Sequence, residues 1–290
     1  MNLTILATIC IVTLLYIHVV FHLKTSDDLE VFEIQMPPKS KLEDVCNFRQ
    51  PILFQYTDSL MNQCTPASLQ EYNAFDVNVY GEDYEGIPVT LEQASILFKN
   101  KVYATYHNAS FLNETMAKRY FVEMDSFLRP PMVSSISYDF MMGSHGYETR
   151  FSYHNHYRTY YYATSGYATI KLTPPRNTKY LQEIKNYETQ EFYTRLNPWK
   201  DEMKKVKCME ITLHPGQLLF IPAYWWYSIR LEKDACICSI QYKTVMNLIS
   251  TLPDIAMGIL QRQNTKHKIL PTHSDSYSPA PTLQDTSSHT

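Results

Sequence analysis

Between Gly216 and Tyr227 the chain reads Gly-Gln-Leu-Leu-Phe-Ile-Pro-Ala-Tyr-Trp-Trp-Tyr, and this stretch sets the terms for the whole fold. The glycine permits a turn, the apolar run that follows reads as a strand, and Pro222 ends it because proline cannot donate to a ladder. Two tryptophans then need a large apolar surface to cover them. The rest of the chain agrees with a strand-rich reading. Tyrosine occurs 23 times and glycine 7 times, and aromatic side chains pack well on pleated faces.

Helical patterns come first along the chain, then strands, then a closing helix. Lys41 to Asn47 reads as a helix and Pro51 to Phe54 as a buried strand. Thr90 is a good N-cap for a helix carrying apolar residues up to Phe98, and Glu114 to Leu128 reads as another, stopped by Pro130 and Pro131. Ile136 to Thr173 turns to Tyr-, Thr- and Phe-rich strands, and Lys179 to Arg195 is helical or irregular. Met209 to Leu213, Leu218 to Pro222 and Ala235 to Tyr242 are further strands. Val245 to Arg262 is an amphipathic helix that packs on the β domain or pairs with a partner. This order favours an antiparallel barrel or sandwich decorated with helices over alternating βα units.

Hydrophobic content of 44% is enough for a sizeable core, and a net charge of -3 leaves no basic footprint for nucleic acid. Six cysteines without a Cys-x-x-Cys pair are not a disulfide framework. Cys236 and Cys238 share one side of a strand and read as packing residues.

The N-terminus differs in kind. Leu3 to Leu23 contains no Asp, Glu, Lys or Arg, and 13 of its residues are Leu, Ile, Val or Phe. As a helix it spans about 32 Å, the thickness of a hydrocarbon core. A cleaved signal peptide is the other reading, but a basic start and a small-residue cleavage site are both missing. An uncleaved single-pass anchor over residues 1–24 is therefore expected, followed by an acidic connector over 25–36, a folded domain over 37–262 and a disordered Ser-, Thr- and Pro-rich tail over 263–290. Lys24 alone flanks the span, so its orientation is open. Asn108 and Asn113 head glycosylation sequons if the domain is lumenal.

Two segments carry a resemblance. Arg150-Phe-Ser-Tyr-His-Asn-His-Tyr157 leads into a strand, a turn at Gly166 and a second strand ending in Pro174 and Pro175; His214-Pro-Gly-Gln-Leu-Leu-Phe-Ile-Pro222 leads into Trp225 and Trp226. From Pro37 to Asn247 this resembles the cupin superfamily, in its JmjC-like and cupin-like hydroxylase branch. The resemblance implies a double-stranded β-helix (jelly-roll), and in many members an Fe(II)- and 2-oxoglutarate-dependent oxygenase. N-terminally anchored proteins of this kind occur in eukaryotes and in large DNA viruses. Matched position by position, the first metal histidine falls at Tyr153, the carboxylate at Asn155 and the second histidine at Tyr227, or at Ser228 if the register slips by one. The lysine that holds the cosubstrate carboxylate falls at Ala168, and the aspartate common after the second glycine is Gln217.

Non-haem Fe(II) oxygenases need two neutral imidazoles and a carboxylate on one face of the metal. Asn155 supplies only an uncharged amide, and tyrosine ionises near pH 10. A rival metal site uses His154 and His156, two apart on one strand, with His145 or His214 as a third ligand. Alternation opposes it: Phe151, Tyr153, Asn155 and Tyr157 form an aromatic side expected to face into the barrel, leaving His154 and His156 on a solvated outer side unless a bulge shifts the register. Tyr160 to Tyr162, Tyr224, Trp225 and Trp226 read as packing residues. No P-loop, dinucleotide fingerprint, nucleophile elbow or zinc-protease motif is present. The expectation is a membrane-anchored, mainly β cupin-like protein with no catalytic, cofactor or metal residues, acting as a binding or structural module on a protein partner. The alternative is an oxygenase with unorthodox ligands.

Overall fold

Chain order in the computed structural model begins with α1 (Leu3–Leu23), β1 (Phe32–Ile34), α2 (Lys39–Cys46), β2 (Ile52–Gln55), α3 (Pro66–Leu69), β3 (Asp76–Tyr80), β4 (Gly86–Thr90) and α4 (Leu91–Asn100). It continues with β5 (Ala104–Thr105), α5 (Ala109–Glu114), α6 (Val122–Leu128), β6 (Val133–Gly143), β7 (Ser152–Tyr153), β8 (Arg158–Ser165) and β9 (Ala168–Thr173). A short hairpin, β10 (Ile184–Asn186) and β11 (Glu191–Tyr193), precedes β12 (Met209–Leu213), β13 (Gln217–Pro222), β14 (Trp226–Leu231), β15 (Cys236–Thr244), α7 (Val245–Ser250) and α8 (Leu252–Gln263). The structure describes residues 3–200, 203 and 205–263, so the tail expected over 263–290 lies, apart from Gln263, outside the described residues.

The strands form two sheets. The larger has the order β1-β2-β13-β8-β15-β6-β5-β3-β4, and the smaller β10-β11-β7-β14-β9-β12. Alternation along the central strands explains the layering. Leu219 and Ile221 of β13, Tyr161 and Ala163 of β8 and Ile237 of β15 point between the sheets, where Ile170, Ile211, Tyr227 and Ile229 of the smaller sheet meet them. Leu218 and Phe220, Tyr160 and Tyr162, Cys238 and Ile240 point the other way, against Leu91, Phe111, Phe121 and Met124 from the helices. The larger sheet is thus covered on both faces, which is why Leu218 to Ile221 reads as an unbroken apolar run. At the β8–β9 turn Gly166 has φ +57°, and an added Cβ would lie 2.6 Å from the Asp234 carbonyl and the Ala235 nitrogen. No other residue fits between those two crossing turns without displacing backbone.

Four expectations need correction. The connector 25–36 supplies a strand, since β1 pairs in parallel with β2. The helix expected from Glu114 to Leu128 is broken: Thr115 bonds back to the Phe111 carbonyl at 2.7 Å and Met116 turns left-handed at φ 55°, so α5 ends before α6 begins. Lys179 to Arg195 contains the β10–β11 hairpin. Val245 to Arg262 is two helices, because Thr251 leaves helical geometry and its hydroxyl bonds to the Asn247 carbonyl at 2.9 Å.

Asn108, the head of the first sequon, is 1% exposed. Its Oδ1 accepts from the Asn78 N–H at 3.0 Å, and its Nδ2 donates to Thr105 Oγ1 at 2.9 Å and to the Phe140 carbonyl at 3.3 Å. The side chain is therefore a bracket between strands, closed to a glycan in the folded protein. Asn108→Ala is expected to cost about 2 kcal/mol through the orphaned buried partners, read as a lowered urea midpoint.

Candidate functional site

The space between the sheets narrows to a cavity of about 110 Å³. Its buried end is made by Tyr161 of β8 and Tyr227 of β14, each 5% exposed. Tyr161 donates its hydroxyl to the Tyr227 oxygen at 2.7 Å, and the Tyr227 hydroxyl has no protein acceptor among the described residues. Burial raises both phenols above their ordinary range, and for Tyr227 the neighbouring Tyr161 adds to it, so both are neutral O–H groups.

His154 stands beside them, its ring centroid 5.4 Å from that of Tyr227, and His156 packs edge-on against His154 at 5.4 Å. Burial, then His107 and Lys243, push the His154 imidazole down to about 3. Burial, His154 and Lys243 depress His156 in the same direction, and its Nδ1 is buried without a hydrogen-bond partner. Both rings are neutral at physiological pH.

Asp139 of β6 contributes the cavity's enclosed carboxylate. It accepts the backbone N–H groups of His107 at 2.7 Å, Asn108 at 2.8 Å and Phe140 at 2.9 Å. Burial raises its pKa, opposed by His107 and those three donors. Toward the open end the Arg150 guanidinium lies between two tyrosine rings, 4.8 Å from the centroid of Tyr84 and 4.1 Å from that of Tyr193. Tyr80 and Tyr106 stack in parallel nearby at 3.9 Å.

The facing of 151–157 is the reverse of the expected one. Ser152 lies opposite Tyr227 across the β7–β14 ladder, so Ser152 and, two residues on, His154 share the cavity side. Tyr153 turns to the other side of the smaller sheet, stacked on Phe192 at 5.1 Å, edge-on to Trp226 at 4.9 Å and bonded to the Glu183 carboxylate. Asn155 also points away, donating to Gln190 Oε1 at 3.3 Å. The cause is a third layer. Leu181, Leu196 and Val206 cover the outside of the smaller sheet, so the aromatic side of 151–157 is buried outward beside Phe192 of β11 and the histidine side inward.

Of the positions carrying the oxygenase chemistry by resemblance, Tyr227 lines the closed end of the cavity, and Tyr153 borders the cavity while its ring packs on Phe192 and Trp226; Ser228 is buried and donates to the Thr149 carbonyl at 2.6 Å. Ala168 is packed in the core between the sheets, and Gln217 opens β13, its Oε1 accepting from the His214 N–H at 2.8 Å. His145 pairs with Glu232 at 3.0 Å and His214 packs near Tyr167, so neither joins His154. Among the described residues no three His, Cys, Asp or Glu side chains are grouped to hold a metal ion. Trp225 and Trp226 bond through their indole nitrogens to the Arg49 carbonyl at 3.2 Å and Thr178 Oγ1 at 2.8 Å, as packing residues do. The sequence reading missed Asp139 and Arg150. A lone acid in Tyr138-Asp-Phe-Met-Met142 was the available signal for the first; nothing flagged the second.

A family model described as a cupin-like domain matches residues 90–244. That range runs from the cap of α4 to the end of β15 and holds every cavity residue named above except Tyr80 and Tyr84. No curated protein matches the chain.

Proposed function

The chain belongs to the cupin-like domain family, and from that premise we propose that it is a membrane-anchored binding module in which a tyrosine-lined pocket stands in place of a metal site. The strand orders β6-β15-β8-β13 and β7-β14-β9-β12 support reading the two sheets as a double-stranded β-helix. Helix α1 supports the anchor: an 18-residue window has mean hydropathy 2.4 and none of it is buried in the domain.

The residues present do not fit Fe(II) and 2-oxoglutarate. Such a site needs two imidazoles and a carboxylate converging on one point. Here two of the three expected positions face away, and the third is a neutral phenol held by another phenol. The observation that carries the proposal is that Tyr161–Tyr227 pair at 2.7 Å, which fills the end of the cavity where a second histidine would project.

What the pocket can do is bind. About 110 Å³ approaches the size of cavities that take up a benzene-sized molecule. The Tyr227 O–H offers a donor at the closed end, Asp139 and neutral His154 offer polar groups, and ring faces supply the walls. The ligand class is a small, flat, largely apolar molecule with one hydrogen-bond acceptor.

The test uses the full chain in detergent, loaded anaerobically with Fe(II) and 2-oxoglutarate and then exposed to O2, and separately screened against small phenols and aromatic ketones by thermal shift. Substoichiometric iron, no succinate, and a ligand-induced shift lost in Tyr227→Phe are expected. Stoichiometric iron with 2-oxoglutarate turnover would overturn the proposal.

A further inference from the structure

Helix α8 is amphipathic in the reverse sense. Leu252, Met257, Ile259 and Leu260 are 53%, 47%, 54% and 60% exposed, and Ala256 lies among them. The side turned to the protein is polar. Gln261 Oε1 accepts the Tyr187 N–H at 3.0 Å, Arg262 donates to the Glu188 carbonyl at 3.2 Å, and Gly258 sits so close to the Tyr187 carbonyl that a Cβ would lie 2.6 Å from it. A surface helix of a water-soluble domain buries its apolar stripe. Here hydrogen bonds to the β10–β11 hairpin hold the polar side down and present the apolar side outward.

The stripe does not stop at α8. Val245 and Leu248 of α7 are 40% and 41% exposed and, three residues apart, lie on one side of that helix. Helix α7 packs directly against α1. Around that contact Ile17, His18, Phe21 and His22 of α1 meet Met132, Tyr157, Thr244 and Met246. If α1 spans the bilayer over about 32 Å, its last two turns lie at the headgroup boundary, and whatever packs on them lies at that depth.

We propose that the exposed apolar face of α7 and α8 rests in the membrane interface beside α1, giving the domain a second, in-plane attachment to the bilayer. The proposal rests on reading α1 as a membrane anchor. A lipid surface is the favoured occupant because the stripe is continuous with the segment packed on the anchor. Charge agrees: Lys266 and Lys268 follow the stripe in the sequence, as suits anionic headgroups.

The test places an environment-sensitive NBD dye at single cysteines in the full chain, with Cys10 and Cys208 replaced by serine. The protein is reconstituted in phosphatidylcholine–phosphatidylserine vesicles carrying a nitroxide-labelled lipid. Dyes at Leu248→Cys and Leu260→Cys, and at Leu15→Cys in α1, should be quenched about twofold or more, whereas one at exposed Ile96→Cys on α4 should not. Quenching at position 15 without quenching at 248 and 260 overturns this inference and leaves the anchor standing. No quenching at any of the three overturns both. Disulfide cross-linking of Leu260→Cys between copies, without lipid quenching, makes the face a dimer interface and also overturns it.

Discussion

Trp225→Ala should lower the unfolding free energy by about 4 kcal/mol, the range seen when a fully buried aromatic is cut to a methyl group. Trp225 is 0% exposed and packs in the layer between the two sheets. Its indole N–H also donates to the Arg49 carbonyl at 3.2 Å, and Arg49 sits in a left-handed conformation at φ 59°. That bond ties the turn between α2 and β2 to the start of β14. Beyond the tie, the Arg49 guanidinium lies over the rings of Phe21 in α1 and Tyr157, at 5.3 Å and 5.0 Å. The loss therefore reaches the seat of α1 as well as the core. Trp225→Phe keeps most of the packing and removes only the donor, so it should cost about 1–2 kcal/mol. Denaturant titration of both variants checks the ordering. Equal costs would mean that the hydrogen bond, and not the packing, carries the effect.

Acid should weaken the fold through His154 and His156, with a loss of about 2 kcal/mol from His154 between pH 7.5 and pH 5 and a further loss in the same direction from His156. The direction follows from the ionisation of each state. In the unfolded chain an imidazole titrates near 6.5. In the fold burial brings His154 down to about 3 and depresses His156 in the same sense. Stability contributed by the neutral rings is whole above pH 6.5 and is lost as pH falls from there toward the folded values. At pH 5 the His154 shift corresponds to about 2 kcal/mol, and partial exposure of both rings keeps the loss from exceeding that scale for each. Asp139 acts against the trend, because a carboxyl raised by burial gains stability as it takes up a proton. The decisive measurement is therefore the difference between the wild type and the His154→Gln/His156→Gln double variant. Urea midpoints of the variant should be flatter across this pH range. Parallel profiles would show that the two rings titrate in the fold as they do in water.

The strands were legible because their residues are dictated twice, once by the pleat and once by burial on both sides. Leu218 to Ile221 and Tyr160 to Ala163 send alternate side chains into different layers, and an apolar or aromatic residue is needed at each step. Facing was harder to read. Alternation divides 151–157 into an aromatic and a histidine side, but which side looks inward depends on what covers the smaller sheet from outside. The covering residues, Leu181, Leu196 and Val206, are scattered through otherwise polar sequence, so the layer they build has no periodicity to announce it. The same limit applies to α8, whose helical period was plain while its apolar side turned out to be the exposed one. The cavity was half visible. Tyr227 was singled out by its place after the tryptophans, whereas Asp139 depends on backbone donors from the β5–α5 loop that only tertiary structure brings to it.

The outward turn of Tyr153 and Asn155 limits what substitution can build. Tyr153→His, Asn155→Asp and Tyr227→His together would supply the letters of an iron triad. Two of the three new side chains would then sit in the aromatic layer against Phe192 and Trp226 or beside Gln190, on the far side of the strand from the third. Bringing the three together would require the segment from Phe151 to Tyr157 to slide by one residue and exchange its two sides. Such a slide would strip the covering layer of its aromatic partners. Point substitution at these positions alone therefore assembles no metal site in this fold.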